Sequence, residues 1–398
     1  MRTIIIGNGG AAMESVMALR ANGYDSEIHL FTDSDLPVLN PTLLTYFIAG
    51  KIGLDGLFPF SGDLNKKHGV TLHSGSRVVK LDALEKTVEN AADVKMAYDD
   101  CIVCSGASPI IPPKYKKYKD IAVFTIRSVN GYNGAVELKK RISPGKKALV
   151  VGASMAGIKV VEALRLQGVE VTLTDTQPHV FPFAAHAKCA ELIEQRIEEN
   201  GVRLILGAGD TDLSQYDVIV VCVGVKPNMD FIDKTQVDTD GGVLVDKFMR
   251  TNRAGLYAAG DCAQIRSDVS RHVAPGLWVT ARYMGRAAGS NIAGKNEACH
   301  EVIRHNITRF FGVDFASIGH ISQGDDGDDV FEMESGGKYC RIIWKDGRIM
   351  GINLLNMPEI SGILKSHMQK SSELSTMAMC KVFDKYPPIQ EAFSKRKC

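Results

Sequence analysis

The stretch Thr3-Ile4-Ile5-Ile6-Gly7-Asn8-Gly9-Gly10-Ala11-Ala12-Met13-Glu14-Ser15-Val16 decides the reading of this chain. Its β-branched run predicts a buried strand, and the glycines after it predict a sharp turn into a helix from Met13 to Arg20. A second apolar run, Glu27 to Phe31, is followed by Asp33. Strand, glycine-rich turn, helix, strand and acid stand in the order of a mononucleotide-binding unit, with Gly7, Gly9 and Ala12 at G-x-G-x-x-A spacing. The string alone says little. Its place between a strand and a helix gives it meaning.

The same grammar returns at Ala148 to Val151, followed by Gly152-Ala153-Ser154-Met155-Ala156-Gly157, a helix pattern from Ile158 to Leu166, and an apolar run Val169 to Leu173 that leads to Asp175. Here Ser154 stands where the second glycine is expected, and it is small enough to admit a pyrophosphate. In such units the turn lets backbone approach the phosphates, while the helix N-terminus offers free N–H groups and a positive dipole end. Asp33 and Asp175 are placed to accept hydrogen bonds from ribose hydroxyls. A carboxylate there repels a 2′-phosphate, so the second site is expected to prefer NADH to NADPH, with Lys159 and His179 as the nearby cations that could alter this. Two ligand-free structural turns are the bland alternative, and the presence of both fingerprints in one chain weighs against it.

The rest of the composition narrows the class. The 398 residues fit two or three domains. Lys and Arg number 47 against 46 Asp and Glu, so no broad cationic field for nucleic acid or anionic lipid exists. No apolar stretch reaches the ~20 residues of a membrane-spanning helix, no signal-peptide pattern opens the chain, and nine cysteines without repeating spacing argue for reduced thiols. A soluble cytoplasmic protein is expected. The ten histidines show no metal-ligand spacing, and Asp325-Asp326-Gly327-Asp328-Asp329 lacks the terminal Glu of a calcium loop, so no metal is expected.

Between and beyond the two fingerprints, Thr71 to Leu81, Thr87 to Asp93 and Tyr98 to Ser105 read as strands, the last running into Ser105-Gly106-Ala107-Ser108-Pro109. The polar, Pro-bearing residues 110–120 read as a crossing between domains. A parallel strand-plus-turn follows at Asp217 to Val223 and Gly224-Val225-Lys226-Pro227-Asn228, and Gly255 to Ala259 leads to Gly260-Asp261. From about Asn296 short strands alternate, such as Tyr339 to Lys345 and Arg348 to Asn353 around Asp346-Gly347, which marks a third, α+β domain.

These motifs, in this order, resemble those of the FAD-dependent pyridine nucleotide oxidoreductases, the two-dinucleotide flavoproteins that include rubredoxin and ferredoxin reductases, the flavoprotein part of nitrite reductase, NADH oxidases and coenzyme A disulfide reductases. Gly7 to Ala12 resembles the family's FAD turn, Ser105-Gly106-Ala107-Ser108-Pro109 its T-G-A-x-P segment, Gly152 to Gly157 its NAD(P)H turn, and Gly224 to Asn228 its G-x-x-P-N segment. Gly255-Leu256-Tyr257-Ala258-Ala259-Gly260-Asp261 resembles the second FAD signature, whose Asp binds the ribityl chain. The resemblance implies an α/β fold: an FAD domain at 1–112 and 242–296, interrupted by an NAD(H) domain at 113–241 and followed by a C-terminal α+β interface domain at 297–398. It also implies hydride transfer from nicotinamide to flavin and onward electron transfer to a second acceptor.

The chain departs from the family where the acceptor is decided. The redox Cys of disulfide-active members falls on Thr42, and no cysteine lies between residues 1 and 100. The stretch Leu36 to Thr45 is similar instead to the ferredoxin-reductase pattern, with Asn40 and Thr45 replacing an Arg and a Lys. Lys159 stands where many relatives carry a Glu near the nicotinamide; a lysine snorkelling at a helix start is the alternative reading. Cys101 and Cys104 spell C-x-x-C, but on a strand residues three apart face opposite ways, so buried packing thiols are expected. Cys262 reads as packing, and Cys398 as an accident of a frayed end rather than a relay.

The function expected is therefore an FAD-dependent NADH oxidoreductase that passes electrons to a small redox protein, rubredoxin- or ferredoxin-like, or to a partner subunit, without a flavin-proximal redox Cys. An NADH oxidase or small-molecule quinone or disulfide reductase is the enzyme alternative; a flavin-binding regulatory subunit is the alternative of another class. Relatives often pair, so a homodimer is consistent with the resemblance. No catalytic side chain is singled out by the sequence.

Overall fold

Ile4, Ile5 and Ile6 are almost wholly buried. A β-branched run hidden on both faces belongs in the middle of a parallel sheet covered by helices. In the computed structural model, Arg2–Ile6 is the central strand of a five-stranded parallel sheet in the order Leu256–Ala258, Asp100–Val103, Arg2–Ile6, Glu27–Phe31, Val70–His73. The structure describes residues 1–60, 64–117, 122–125, 128–207, 211–266, 276–299, 303–321, 329–345, 348–370, 386–389 and 391. Asp325 to Asp328, the turn Asp346-Gly347, Cys380 and Cys398 lie outside them.

Contacts divide the chain into two units, one of residues 1–116, 124–140 and 224–302, the other of 117–123, 141–223 and 303–398. In the first, the helix Gly10–Ala21 packs on the helix Trp278–Ile292. Gly285 and Gly289 explain the contact: a Cβ on either would stand 2.1 Å from the Ala11 carbonyl oxygen or 2.3 Å from that of Ser15. The Ser15 hydroxyl, buried at this crossing, donates at 2.9 Å toward both the Ala11 and the Gly285 carbonyls. The run Thr71 to Leu81, expected as one strand, is two. Val70–His73 ends the parallel sheet, Gly75 turns the chain at φ +59°, and Val78–Asp82 opens an antiparallel sheet with Thr87–Asn90 and Lys95–Ala97. The polar stretch His73-Ser74-Gly75-Ser76-Arg77 is where the two strands part.

The second unit holds another parallel sheet, with Arg203–Leu206, Glu170–Asp175, Lys147–Val151 and Val218–Val221 side by side. Its helix Ala187–Glu199 buries Cys189, Ala190, Ile193 and Ile197, the spacing of one helix face. The same unit contains the antiparallel sheet His305–Phe310, Val313–Gly319, Arg348–Leu355, Lys338–Lys345, Asp329–Ser335. Ala316, Ile318, Ile342, Ile352 and Leu354 pack there in one core with Ile360 and Leu364 of the helix Pro358–Lys370. Among the described residues no helix is long and apolar enough to cross a membrane.

Candidate functional site

The first glycine-rich turn is built by a close approach. Gly7 has φ +113°, and a Cβ on it would stand 2.2 Å from the Cys104 carbonyl oxygen, so only glycine fits. Gly9 caps the helix Gly10–Ala21 with no side chain, nothing lies within 4 Å of where its Cβ would be, and no acid occupies the first helical turn. The helix N-terminus is thus open to an anion. Ala12 is fully buried behind it. Gly260, at φ +81°, sits 3.2 Å from the Ala11 Cβ by the same measure, with Asp261 half-buried after it. Asp33 is exposed just beyond Glu27–Phe31.

Ser105 and Gly106 are brought together with the segment after Gly224. The Asn228 Nδ2 donates to the Ser105 carbonyl at 3.0 Å, its Oδ1 accepts from the Ser108 hydroxyl at 2.7 Å, its N–H donates to the Gly106 carbonyl at 2.9 Å, and its own carbonyl accepts from the Ser105 hydroxyl at 2.5 Å. Gly224, at φ +120°, accepts from the Ile110 N–H at 3.0 Å. The Asn40 side chain accepts from both the N–H and the hydroxyl of Thr42, at 3.0 and 2.7 Å, and Thr45 is buried in the short helix Leu44–Ile48. Asn40 therefore caps a turn at the place of the Arg in the ferredoxin-reductase pattern.

The second turn repeats the construction. Gly152 has φ +105°, and its Cβ would stand 2.5 Å from the Cys222 carbonyl oxygen; that of Gly157 would stand 1.8 Å from the Gly152 carbonyl oxygen. Ser154 does what a second glycine cannot: its hydroxyl donates to the Cys222 carbonyl at 3.1 Å and accepts from the Gly157 N–H, capping the helix Met155–Leu166. Asp175 reaches back to the turn, accepting from the Ala153 N–H at 2.6 Å and the Gln177 N–H at 2.9 Å. Lys159 pairs with Glu162 and donates to the Arg309 carbonyl at 2.7 Å, while Glu162 accepts from the Phe311 N–H at 2.9 Å. His179 lies 3.2 Å from the Glu194 carboxylate.

None of the seven cysteines among the described residues is in a disulfide, and all are buried. Burial pushes the Cys101, Cys104 and Cys262 thiols up. The Cys262 Sγ lies 3.3 and 3.4 Å from the Val103 and Ala259 carbonyls, a packed thiol with local acceptors.

A model of the family described as pyridine nucleotide-disulphide oxidoreductase matches residues 1–285. The chain belongs to that family. It is an oxidoreductase of the group whose cofactors are FAD and NAD(H). The epsilon subunit of NADH-dependent phenylglyoxylate dehydrogenase from Aromatoleum evansii is 26% identical, over 94% of this chain and 93% of that one. The electron transfer subunit of assimilatory nitrate reductase from Bacillus subtilis is 25% identical over 94% of this chain, which spans half the length of that relative. The crystal structure of NADH:rubredoxin oxidoreductase from Clostridium acetobutylicum shares the fold, with a TM-score of 0.81 at 22% identity over 94% of this chain and 95% of that one.

The residues of the first turn fit a dinucleotide. Asn8 Oδ1 in the first turn and Thr280 Oγ1 in the first turn of Trp278–Ile292 are buried polar atoms with no protein partner, beside an uncapped helix start. When bound, the flavin supplies the two-electron acceptor that the side chains lack. Sequence reasoning missed the Cys104 and Cys222 carbonyls, the floors on which the turns rest. It quoted Asn228 without giving it a role; an Asn directly after Pro227 was the available signal.

Proposed function

We propose that the first unit holds FAD through Gly7, Gly9, Ala12, Asp33, Ser105, Gly106, Gly260 and Asp261, and that the turn at Gly152, Ser154, Gly157 and Asp175 holds NADH. The reduced flavin then delivers electrons to a small redox protein or partner subunit. The observation that carries the choice of acceptor is Thr42. It occupies the place of the family's flavin-proximal Cys, no cysteine precedes residue 101, and both its N–H and its hydroxyl serve the Asn40 cap. With no thiol there to form a mixed disulfide, two-electron thiol relay has no starting nucleophile at that position. Relatives named as electron transfer subunit and rubredoxin oxidoreductase agree with this reading.

Stopped-flow reoxidation of the NADH-reduced protein tests it, with a rubredoxin or ferredoxin, oxygen and menadione as competing acceptors. Fastest turnover on the iron–sulfur or rubredoxin-type protein is expected. Fastest turnover on oxygen or menadione would assign an oxidase or quinone reductase instead. Persistent charge-transfer absorbance with negligible turnover on every acceptor would assign a regulatory flavoprotein.

A further inference from the structure

The loop from Gln177 to His186, which follows Asp175, is fastened along its length within the second unit. Phe181 stands at φ +50°, a left-handed backbone that a bulky residue adopts only when its surroundings enforce it. Its N–H donates to the Ala153 carbonyl of the glycine-rich turn at 2.8 Å. Its ring is 1% exposed, stacked on Phe315 with centroids 4.8 Å apart and edge-on to Phe310 at 5.6 Å. The Val180 N–H donates to the Glu194 carboxylate at 2.9 Å.

Asn353, on the antiparallel sheet, completes the hold. It is 1% exposed. Its Nδ2 donates to the Ala184 carbonyl at 2.9 Å and its Oδ1 accepts from the His186 N–H at 2.8 Å, so one side-chain amide grips two backbone groups of the loop as a sheet neighbour would. Neither group belongs to a regular element. Without Asn353 the Ala184 carbonyl and the His186 N–H would lose their partner, which is a strong reason for an amide at an otherwise apolar depth.

We infer that Asn353 is a positioning residue for NADH. The antiparallel sheet, through Asn353 with Phe315 beside the Phe181 ring, fixes the loop that begins at the ribose-binding acid and touches the turn at Ala153. The dinucleotide then meets a preformed edge rather than a mobile one, and the ordering cost of that loop is removed from binding. This rests on the reading of Gly152 to Asp175 as the NADH site.

The test uses the full-length FAD-loaded protein, Asn353→Asp and Asn353→Ala. The Asp variant keeps the shape and the acceptor for His186 but sets a carboxylate oxygen against the Ala184 carbonyl. The expected result is a KM for NADH raised about tenfold in both, kcat with saturating NADH and ferricyanide within about twofold of wild type, and unchanged flavin absorbance. An unchanged KM overturns the inference, and so does a fall in kcat without a rise in KM. Hydrogen exchange of the wild-type protein without NADH is read independently of either variant's folding: slow exchange in the peptide spanning 180–186 is expected, and exchange at the rate of an open loop overturns the inference. Asp175→Ala separates the two readings. If it leaves the NADH dissociation constant unchanged, the site assignment itself has failed; if it weakens binding and Asn353→Asp does not, only the role of Asn353 has failed.

Discussion

A Cβ on Gly7 would stand 2.2 Å from the carbonyl oxygen of Cys104, and the relation recurs in the second unit, where a Cβ on Gly152 would stand 2.5 Å from that of Cys222. Each glycine ends the central strand of its sheet, and each cysteine follows the parallel neighbour paired with it, Ile6 with Val103 and Val151 with Val221. The left-handed turn that carries the chain over the sheet's edge leaves no room for a side chain.

Two single substitutions therefore separate the two cofactors. Gly7→Ala meets both a backbone oxygen and a forbidden φ, and costs about 2 kcal/mol or more in the loaded form. It is expected to yield colourless or weakly flavinated protein. Gly152→Ala is expected to remain yellow with one FAD while NADH no longer reduces it at micromolar concentration. Absorbance of the purified proteins, with and without NADH, reads both outcomes; a Gly7→Ala protein that retains full FAD would contradict the first.

Asp175→Ala should narrow the preference for NADH. The carboxylate accepts the Ala153 and Gln177 N–H groups and keeps lone pairs for a ribose hydroxyl. Losing that hydroxyl partner and the repulsion of a 2′-phosphate is worth about 1.4 kcal/mol, a tenfold change in the ratio of kcat/KM for NADH over NADPH. Lys159 and His179, the side chains that could have favoured the phosphate, each lie against a carboxylate. An unaltered ratio would show that Asp175 does not read the ribose.

Lys159→Glu is expected to destabilise this protein. Lys159 and Glu162 are both largely buried, and the pair ties the helix Met155–Leu166 to the Arg309–Phe311 turn. A second carboxylate beside Glu162 removes the partner of a buried charge, at a cost of about 3 kcal/mol, whereas Lys159→Met should cost less than Lys159→Glu. Thermal melts at neutral pH, with flavin fluorescence to follow the first unit, check the order of the two variants.

Much of this was legible in the sequence because the decisive features are local. Gly7 to Ala12 and Gly152 to Gly157 announce themselves through strand, turn and helix within about twenty residues each. The role of Lys159 was not legible, since the Arg309 carbonyl it bonds, and the Phe311 N–H bonded by its partner Glu162, lie about 150 residues away and no pattern within its own helix requires them. Asn353 was hidden for the same reason: within its strand it reads as one polar residue in an apolar run. The break at Gly75 did have a local signal, the polar run His73-Ser74-Gly75-Ser76-Arg77, but period-two patterning is silent about which sheet a strand joins, so the change of sheet was not legible.

The last expectation concerns thiols. If electrons leave the flavin without a cysteine relay, alkylating every accessible cysteine should leave transfer to a one-electron acceptor nearly intact. The seven described cysteines are buried, and burial raises the thiols of Cys101, Cys104, Cys189, Cys262, Cys299 and Cys340, holding them as the protonated, poorly nucleophilic form; Cys299 is pushed up to about 11 and Cys340 to about 12. Iodoacetamide at neutral pH should thus label few of them in the native protein. Cys262 follows Asp261 and is the described thiol nearest in sequence to the second FAD signature, but its sulfur is committed to the Val103 and Ala259 carbonyls. Cys262→Ser and Cys398→Ser are each expected to reduce ferricyanide and a rubredoxin within a few-fold of the wild-type rate. A hundredfold loss in either, with FAD still bound, would establish a relay that the position of Thr42 argues against, because a thiolate that must attack and leave cannot be replaced by a hydroxyl whose pKa lies far above its own.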